Sequence, residues 1–325
     1  MSSVSLSNPL PDALAHYMRE LTETLDRVQV PWHLAPSRRV EGGAGVGGRV
    51  RMLANAVRNR TLAHNAPGAT IQVWPSLGLL EARLWGSRRT RNLVILHDPV
   101  PIRKQIGFDV LSRWVAATVP VDAAPLVVSH SEDARSVAQG LLPRHRHVQL
   151  LHPVVTAQVG MVKSSQPTVV VAGQYKPERD LALLATLGPM LRKRGYRCTI
   201  HGRGWPLDLP GWEVDSRFLS ETELDDVLGA ASCVLLPYKR YFQSGIALRA
   251  LELGTATVSP LTSFATTICA KASLVAGDSS SEYLAAIEMT AHDQSLPSTL
   301  FSAYQDAVDD SWRAWFETES AGGVG

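Results

Sequence analysis

Short apolar runs alternate with helix-period segments along the whole chain, and the alternation restarts after a polar stretch near residue 160. Polar and glycine-rich clusters follow the apolar runs, where the carboxyl ends of buried strands would lie. These two observations predict an α/β protein of two Rossmann-like, doubly wound halves, each a parallel sheet with crossover helices. The chain of 325 residues is long for one core and comfortable for two domains of roughly 150 residues.

The elements follow in order. Residues 11–27 predict a helix, because Leu14, Met18, Leu21 and Leu25 recur at helical spacing. A strand over 28–34 comes next, and Glu41-Gly42-Gly43-Ala44-Gly45-Val46-Gly47-Gly48 then breaks the chain before a helix over 49–64. A strand at 70–74, a helix at 77–85 and a strongly apolar strand at 93–96 follow. The half closes with a strand at 125–129, a helix at 132–142 behind the N-cap residue Ser131, and a strand at 148–151. Residues 156–167 are polar and periodless, which marks a linker. The pattern then resumes with a strand at 168–172, a helix at 181–194 and a strand at 198–201. A helix at 221–230 starts behind Ser220-Glu221-Thr222-Glu223, and a strand at 233–236 follows. A helix at 246–253, a strand at 257–259 and a helix at 281–291 come next. A final helix over 301–317 holds Trp312, Trp315 and Phe316, and the glycine-rich end is expected to fray. The expected division is 1–155, a linker at 156–167, 168–300, and a terminal helix at 301–319 that packs back on the first half.

Hydrophobic residues make up 45% and charged residues 19%, the balance of an ordinary globular protein. No apolar run approaches the ~20 residues of a membrane span. Residues 1–7 lack the basic and apolar regions of a secretory signal. The 3 cysteines have no metal-ligand spacing and suit buried thiols in a reducing cytosol. A cytoplasmic location is therefore expected. The net charge of +2 divides into +7 over 1–155 and −5 over the remainder. A basic half suits an anionic membrane surface at the inner face of the plasma membrane or a phosphate-bearing acceptor, although solvated arginines give the same count. No nucleic-acid partner is expected.

The densest chemistry lies between 168 and 260. Gly173-Gln174-Tyr175-Lys176-Pro177-Glu178-Arg179-Asp180 follows one strand and His201-Gly202-Arg203-Gly204 ends another. Leu236-Pro237-Tyr238 leads to Gln243-Ser244-Gly245 and a helix that ends at Gly254. A glycine lets the backbone approach a diphosphate, nearby cations neutralise it, and a helix beginning at Ser244-Gly245 offers unpaired N–H groups. In this order and spacing the three segments resemble the nucleotide-sugar domain of GT-B glycosyltransferases, particularly family 4, also called group 1. The resemblance covers 165–290 firmly and the first half loosely.

That resemblance implies two facing domains with an interdomain cleft and a metal-independent sugar transfer from a nucleoside-diphosphate sugar to a glycan or lipid-linked acceptor. It implies no cofactor beyond that co-substrate, no metal, and a setting in envelope or exopolysaccharide synthesis. Gly173, Lys176, Arg179, Ser244 and Gly245 would hold the diphosphate. Arg203, Gly204, Tyr238, Gln243 and Arg249 would face the nucleotide or sugar. One departure stands out: the family's two glutamates, separated by seven intervening residues, fall on Tyr241 and Arg249, so their roles do not transfer. Divergent bacterial polysaccharide-type transferases look closer.

In the first half, His97-Asp98 ends the strand 93–96 and resembles the histidine that lines the sugar pocket of many GT-B enzymes. His97 or Asp98 would be the base of an inverting enzyme, and His97 a donor-sugar contact in a retaining one. The alternative is an Asp98 turn cap with His97 packed beside it. Gly43 to Gly48 fits G-x-G-x-x-G literally but lacks the acidic residue ~20 positions on that a dinucleotide site needs. Gly45, Gly47 and Gly48 are instead expected in a loop touching phosphate or acceptor, or in a hinge. Ser129-His130-Ser131 lacks a nucleophile elbow, and His145-Arg146-His147 is expected as an exposed turn. Trp85-Gly86-Ser87-Arg88-Arg89-Thr90-Arg91 is the densest basic-aromatic cluster, a lipid or phosphate contact or a solvated loop. A non-catalytic GT-B-like binding or partner protein and a GT-B epimerase are the competing functions.

Overall fold

The computed structural model describes residues 3–12, 14–38, 46–64, 68–90, 92–101, 105–157, 162–291, 293 and 295–321. The chain folds into two compact units, Met1–Val155 with Ala307–Gly325, and Thr156–Asp306.

Unit 1 begins with a strand absent from the sequence pattern, β1 (Val4–Ser7), whose Val-Ser-Leu-Ser alternation hides a fully buried element. Helix α1 (Ala15–Arg27), strand β2 (Trp32–Leu34), helix α2 (Val46–His64) and strand β3 (Ala69–Gln72) follow. Next come α3 (Leu80–Leu84), β4 (Leu93–Ile95) and α4 (Val110–Ala116). The unit continues with β5 (Leu126–Ser129), α5 (Glu132–Leu141) and β6 (His147–Gln149). The six strands are all parallel, in the order β2-β1-β3-β4-β5-β6. Leu6, Leu21, Leu25, Ile71, Leu93 and Ile95 are fully buried between sheet and helices. The end of the chain joins this core: Trp312 is fully buried and donates to the Leu151 carbonyl, and Arg27 pairs with Asp309 at 3.0 Å.

Unit 2 starts with β7 (Thr168–Ala172), α6 (Leu181–Lys193), β8 (Arg197–His201) and β9 (Glu213–Asp215). It continues through α7 (Glu221–Ala230), β10 (Cys233–Leu235), α8 (Gly245–Glu252), β11 (Thr257–Pro260) and α9 (Ala265–Ile268). The two-residue strand β12 (Leu274–Val275), α10 (Ser280–Ala291) and α11 (Leu296–Ala321) close the chain, and α11 runs on into unit 1 from Ala307. The sheet is again wholly parallel, ordered β12-β11-β10-β7-β8-β9. Every residue of β7 is buried, as in a parallel sheet covered on both faces. Its helices start on built caps: Asp180 accepts from Leu183 N, Ser244 from Ala247 N, and Ser220 with Glu223 forms a reciprocal capping box. The three cysteines are buried and unpaired.

Four local expectations change. α2 begins at Val46, so Gly47 and Gly48 lie in a first helical turn and not in a loop, while Gly45 falls outside the described residues. His145 is buried against the Ala82 carbonyl and His147 belongs to β6, so neither sits in an exposed turn. Trp85 is 1% exposed and donates to Glu81, so the basic-aromatic cluster keeps its indole inside. Strand β9 and helix α4 have no counterpart in the sequence pattern. β9 is only three residues long, and α4 turns Val110, Leu111 and Trp114 to the surface.

Candidate functional site

In unit 2 the strand order reverses between β7 and β10, with connections leaving the sheet on opposite sides. Open α/β sheets bind ligands outside the carboxyl ends of the strands at such a point. The loops after β7 and β10 meet there: Asp180 N donates to Pro237 O at 2.7 Å and Lys239 N to Glu178 O at 2.8 Å. Arg179 lies between them, 3% exposed, its guanidinium 3.9 Å from the Tyr238 ring centre and 5.5 Å from that of Trp205. Its Nη2 donates to the Ala172 carbonyl at 2.8 Å, whereas Nε and Nη1 are buried without a hydrogen-bond partner among the described residues. Burial lowers the Arg179 pKa, yet an arginine keeps its proton at neutral pH. A buried cation with two unused donors is costly, and an anion would repay it.

Glycine makes room for this arrangement. Gly173 has φ +97°, and a Cβ there would stand 3.2 Å from Arg179 Nη2. Gly202 has φ +134°, and a Cβ there would meet the Gly173 carbonyl at 2.5 Å. That same carbonyl accepts from Trp205 Nε1 at 2.8 Å. The N-terminal turn of α8 is adjacent, since Ile246 Cγ1 lies 3.7 Å from the position of a Gly173 Cβ.

Thus Gly173, Arg179 and Tyr238 come together, with the start of α8 at Ser244 and Gly245 beside them. Ser244 Oγ is engaged as the α8 N-cap, and Gly245 is exposed. Lys176 lies half-buried in the same loop, its carbonyl accepting from Arg179 N at 2.9 Å. Arg203 and Gly204 join through the backbone, Tyr175 N donating to Arg203 O at 2.9 Å. The Arg203 side chain is exposed over Phe218, 4.9 Å from the ring centre. Gln243 is half-buried one residue before the cap. Arg249 is held elsewhere: its guanidinium pairs with Glu221 and Asp225, fastening α8 to α7. This is a correction to its expected place facing the donor, because the two carboxylates take the charge. Tyr241 is buried and hydrogen-bonded to Ser259. Trp205 was missed by the sequence; a lone tryptophan after Gly204 gives no signal until the fold brings it to Arg179.

Unit 1 presents a different cluster at the carboxyl ends of its strands. His97, after β4, is 4% exposed and bonds the Val73 carbonyl through Nε2 at 2.9 Å. A carbonyl only accepts, so Nε2 carries the hydrogen. The ring packs on Trp74 at 5.3 Å and edge-on to Tyr17 at 4.8 Å and His130 at 5.5 Å. His130 Nδ1 donates to Leu150 O, which leaves Nε2 to accept the Tyr17 hydroxyl at 2.8 Å. His152 closes the group, 5.0 Å from both Tyr17 and His130. Desolvation, then the neighbouring His152 and His97, hold His130 well below the ordinary histidine value; desolvation also lowers His152. Asp98 is half-exposed beside them. The hydroxyls of Ser7 and Ser129 and Gln72 Oε1, at the ends of β1, β5 and β3, are buried without a partner among the described residues. Tyr17, His130 and His152 escaped the sequence analysis because only the fold collects them around His97.

No protein-family model matches this chain, and no curated protein matches it in sequence. Solved structures do match in fold. HepE of Anabaena, crystallised with UDP and glucose, is 12% identical over 100% of both chains, with a TM-score of 0.61. The trehalose-6-phosphate synthase OtsA is 10% identical over 98% of each chain, with a TM-score of 0.66. Sucrose-phosphate synthase from Thermosynechococcus elongatus is 13% identical over 97% of this chain and 96% of its own, with a TM-score of 0.64. The chain therefore has the GT-B fold, two parallel α/β units of the kind these proteins share.

Proposed function

We propose that the protein is a nucleotide-sugar glycosyltransferase, a hexosyltransferase that works without a metal or other cofactor and moves a sugar to a glycan or lipid-linked acceptor. The observation that carries it is Arg179, a buried cation whose Nε and Nη1 have no partner among the described residues, at the strand-order reversal of unit 2. A nucleoside diphosphate supplies the anion that such a group lacks, and HepE, which shares the fold, was crystallised with UDP. In this proposal Arg179, Lys176 and the α8 N-terminus hold the diphosphate and stabilise the charge that develops as it leaves. Gly173 and Gly202 let the backbone close in. Arg203, Gly204, Tyr238 and Gln243 line the nucleotide and sugar end.

Unit 1 would hold the acceptor. Its strand ends carry histidines, hydroxyls and an amide with the carboxylates of Asp98 and buried Glu20 beside them, which suits hydroxyl groups better than phosphates. His97 is held by Val73 through Nε2, and half-exposed Asp98 is the group of the pair that would take a proton from an acceptor hydroxyl. The setting proposed is the inner face of the plasma membrane, in envelope or exopolysaccharide assembly, for which the basic first half is the support.

A thermal-shift screen against UDP, GDP, ADP and dTDP and their sugars tests the reading. A ligand at a hundred times its dissociation constant adds about 2.7 kcal/mol of stability. The expected result is a shift with one base that disappears in Arg179→Met and shrinks in Lys176→Ala. No shift with any nucleotide would sink the proposal. A second reading, a non-catalytic nucleotide-sugar binder, is favoured by Tyr241 and Arg249 at the family's glutamate positions, both engaged in structural bonds. It predicts the same shift with no sugar transfer or donor hydrolysis.

A further inference from the structure

We propose that unit 1 carries a second sugar site at the amino ends of β4 and β5, where one uncharged ring of a glycan binds apart from the transfer chemistry. The sugar class follows from the pocket itself; that the ring belongs to a glycan rests on the transferase reading above.

The pocket holds about 220 Å³ and its lining belongs wholly to unit 1. Leu93 and Leu126, the first residues of β4 and β5, line it together with Asn92 and Arg146, which precede β4 and β6. Open α/β sheets hold their reacting ligands at the opposite, carboxyl ends. His97 marks that other end, four residues along from Leu93 and roughly 13 Å away in extended chain. The volume is below the roughly 300–1,000 Å³ of sites that enclose a drug-sized molecule. A single ring fits; a nucleoside diphosphate does not.

The lining is amphiphilic in the way that a sugar is. Trp315, Leu93, Val121 and Leu126 offer apolar surface to the C–H faces of a ring. Ser87, Thr90, Asn92, Asp122 and Arg146 offer donors and acceptors to hydroxyl groups, which both give and take hydrogen bonds. Part of this set is fixed in advance. Asn92 is 2% exposed, its Nδ2 donates to the Trp85 carbonyl at 2.8 Å, and Thr90 Oγ1 lies 3.2 Å from its Oδ1. Ser87 Oγ accepts from the backbone N–H groups of Arg89 and Thr90, which shapes the loop around it. Trp315 is 9% exposed and edge-on to Phe316 at 4.6 Å, yet its Nε1 donates to nothing among the described residues. A buried indole usually finds a partner for that hydrogen, and a sugar hydroxyl would supply one.

Charge decides against an anion. The lining holds one cation, Arg146, and one carboxylate, Asp122, which also pairs with Arg88 at 2.8 Å. A phosphate would meet the carboxylate as well as the guanidinium. An uncharged polyol can use both, since each is planar and can bond two hydroxyl groups side by side.

The test is calorimetry and saturation-transfer NMR on the full chain. The probes are glucose, galactose, mannose and N-acetylglucosamine, then maltose, cellobiose and lactose. Millimolar binding of at least one monosaccharide and of a disaccharide containing it is expected, since so few atoms make contact. Two variants at exposed positions should each weaken it at least tenfold while keeping the circular dichroism of the wild type. Asp122→Ala with Arg146→Ala removes polar contacts, and Val121→Trp fills the pocket. Arg179→Met should bind the sugars like the wild type. The proposal is overturned if none of the sugars binds, if either pocket variant binds like the wild type, or if Arg179→Met abolishes the binding. It is also overturned if inorganic phosphate competes with the sugar, or if monosaccharides bind and every disaccharide is excluded. A wild type that binds sugar here but shows no nucleotide shift sinks the donor proposal alone.

Discussion

At the strand ends of unit 1 stand His97, His130 and His152 with Tyr17 of α1 among them; His97 and His130 donate to backbone carbonyls and Tyr17 to His130, whereas at the strand ends of unit 2 stands Arg179, with two nitrogens that reach nothing among the described residues. Both clusters are buried, and desolvation acts on both. A histidine answers by giving up its proton and becoming a neutral polar group, which costs little once its N–H is paired. An arginine has no such exit at neutral pH, so the charge stays and the site remains incomplete. In the proposed reading this difference sorts the ligands, an anion to unit 2 and an uncharged polar group to unit 1.

The sharpest way to break this comparison is Arg179→Met. If the arginine exists for a ligand, its loss removes a desolvated charge whose cost outweighs its one hydrogen bond to Ala172 and its packing on Tyr238. The unliganded protein should melt at the same temperature or higher. Nucleotide affinity should fall about 10²–10³-fold, the cost of truncating a charge partner of a buried anion. A lower melting temperature with unchanged nucleotide affinity would make Arg179 a structural residue and remove the ground for the contrast.

Arg249 supplies the control, and the opposite outcome is expected. It is as buried as Arg179, but its charge is met by Glu221 and Asp225 between α7 and α8. Arg249→Met leaves those carboxylates without their cation. It should destabilise the protein by about 1–2 kcal/mol, the worth of the lost hydrogen bonds, since Glu221 and Asp225 are 66% and 26% exposed and water takes up their charge. Denaturant titration measures that loss. Calorimetry should find nucleotide affinity unchanged; a tenfold weakening would return Arg249 to the donor site.

These two arginines also mark how far the sequence could be read. The α/β class, the break near 160 and most strands of unit 2 follow from apolar runs of Val, Ile and Leu that no other element would carry. The region 168–180 was legible because strand, glycine and cations lie within thirteen consecutive residues of one segment. Arg249 was misplaced because its partners sit on another helix, and a motif position says nothing of a carboxylate 24 residues upstream. For the same reason the group around His97 was invisible: the parallel stacking of β4, β5 and β6 brings His130 and His152 beside it, and Tyr17 reaches them from α1. Short elements failed for want of period, β1 through its serines and β9 through its length.

The neutral side of the comparison is tested by pH. His130 has a folded pKa well below its unfolded value near 6.5, so the unfolded chain binds a proton that the folded one refuses. Stability is therefore unaffected well above pH 6.5 and lost as pH falls through it. Between pH 6.5 and 5.5 the loss is about 1 kcal/mol for one such histidine. His130→Phe, compared with wild type over that interval, should remove this slope on top of a pH-independent cost for the orphaned Tyr17 hydroxyl. Equal slopes in the two proteins would mean that His130 accepts a proton in place, and that unit 1 can carry charge after all.

The smallest expected effect concerns Trp205, which tells whether the cationic site is held ready or assembled by its ligand. The indole N–H donates to the Gly173 carbonyl, and the ring lies beside the Arg179 guanidinium. Trp205→Phe keeps an aromatic face but removes the hydrogen bond, a loss of about 1 kcal/mol. If the loop after β7 is pre-organised, that loss appears in the melting temperature of the free protein, and nucleotide affinity changes less than twofold. If binding assembles the loop, the free protein melts as before and affinity falls about fivefold, because the bond then forms only with the ligand in place. The close fit of Gly202 against the Gly173 carbonyl favours the first outcome, since a Cβ there would stand 2.5 Å from that oxygen and the loop has little room to rearrange.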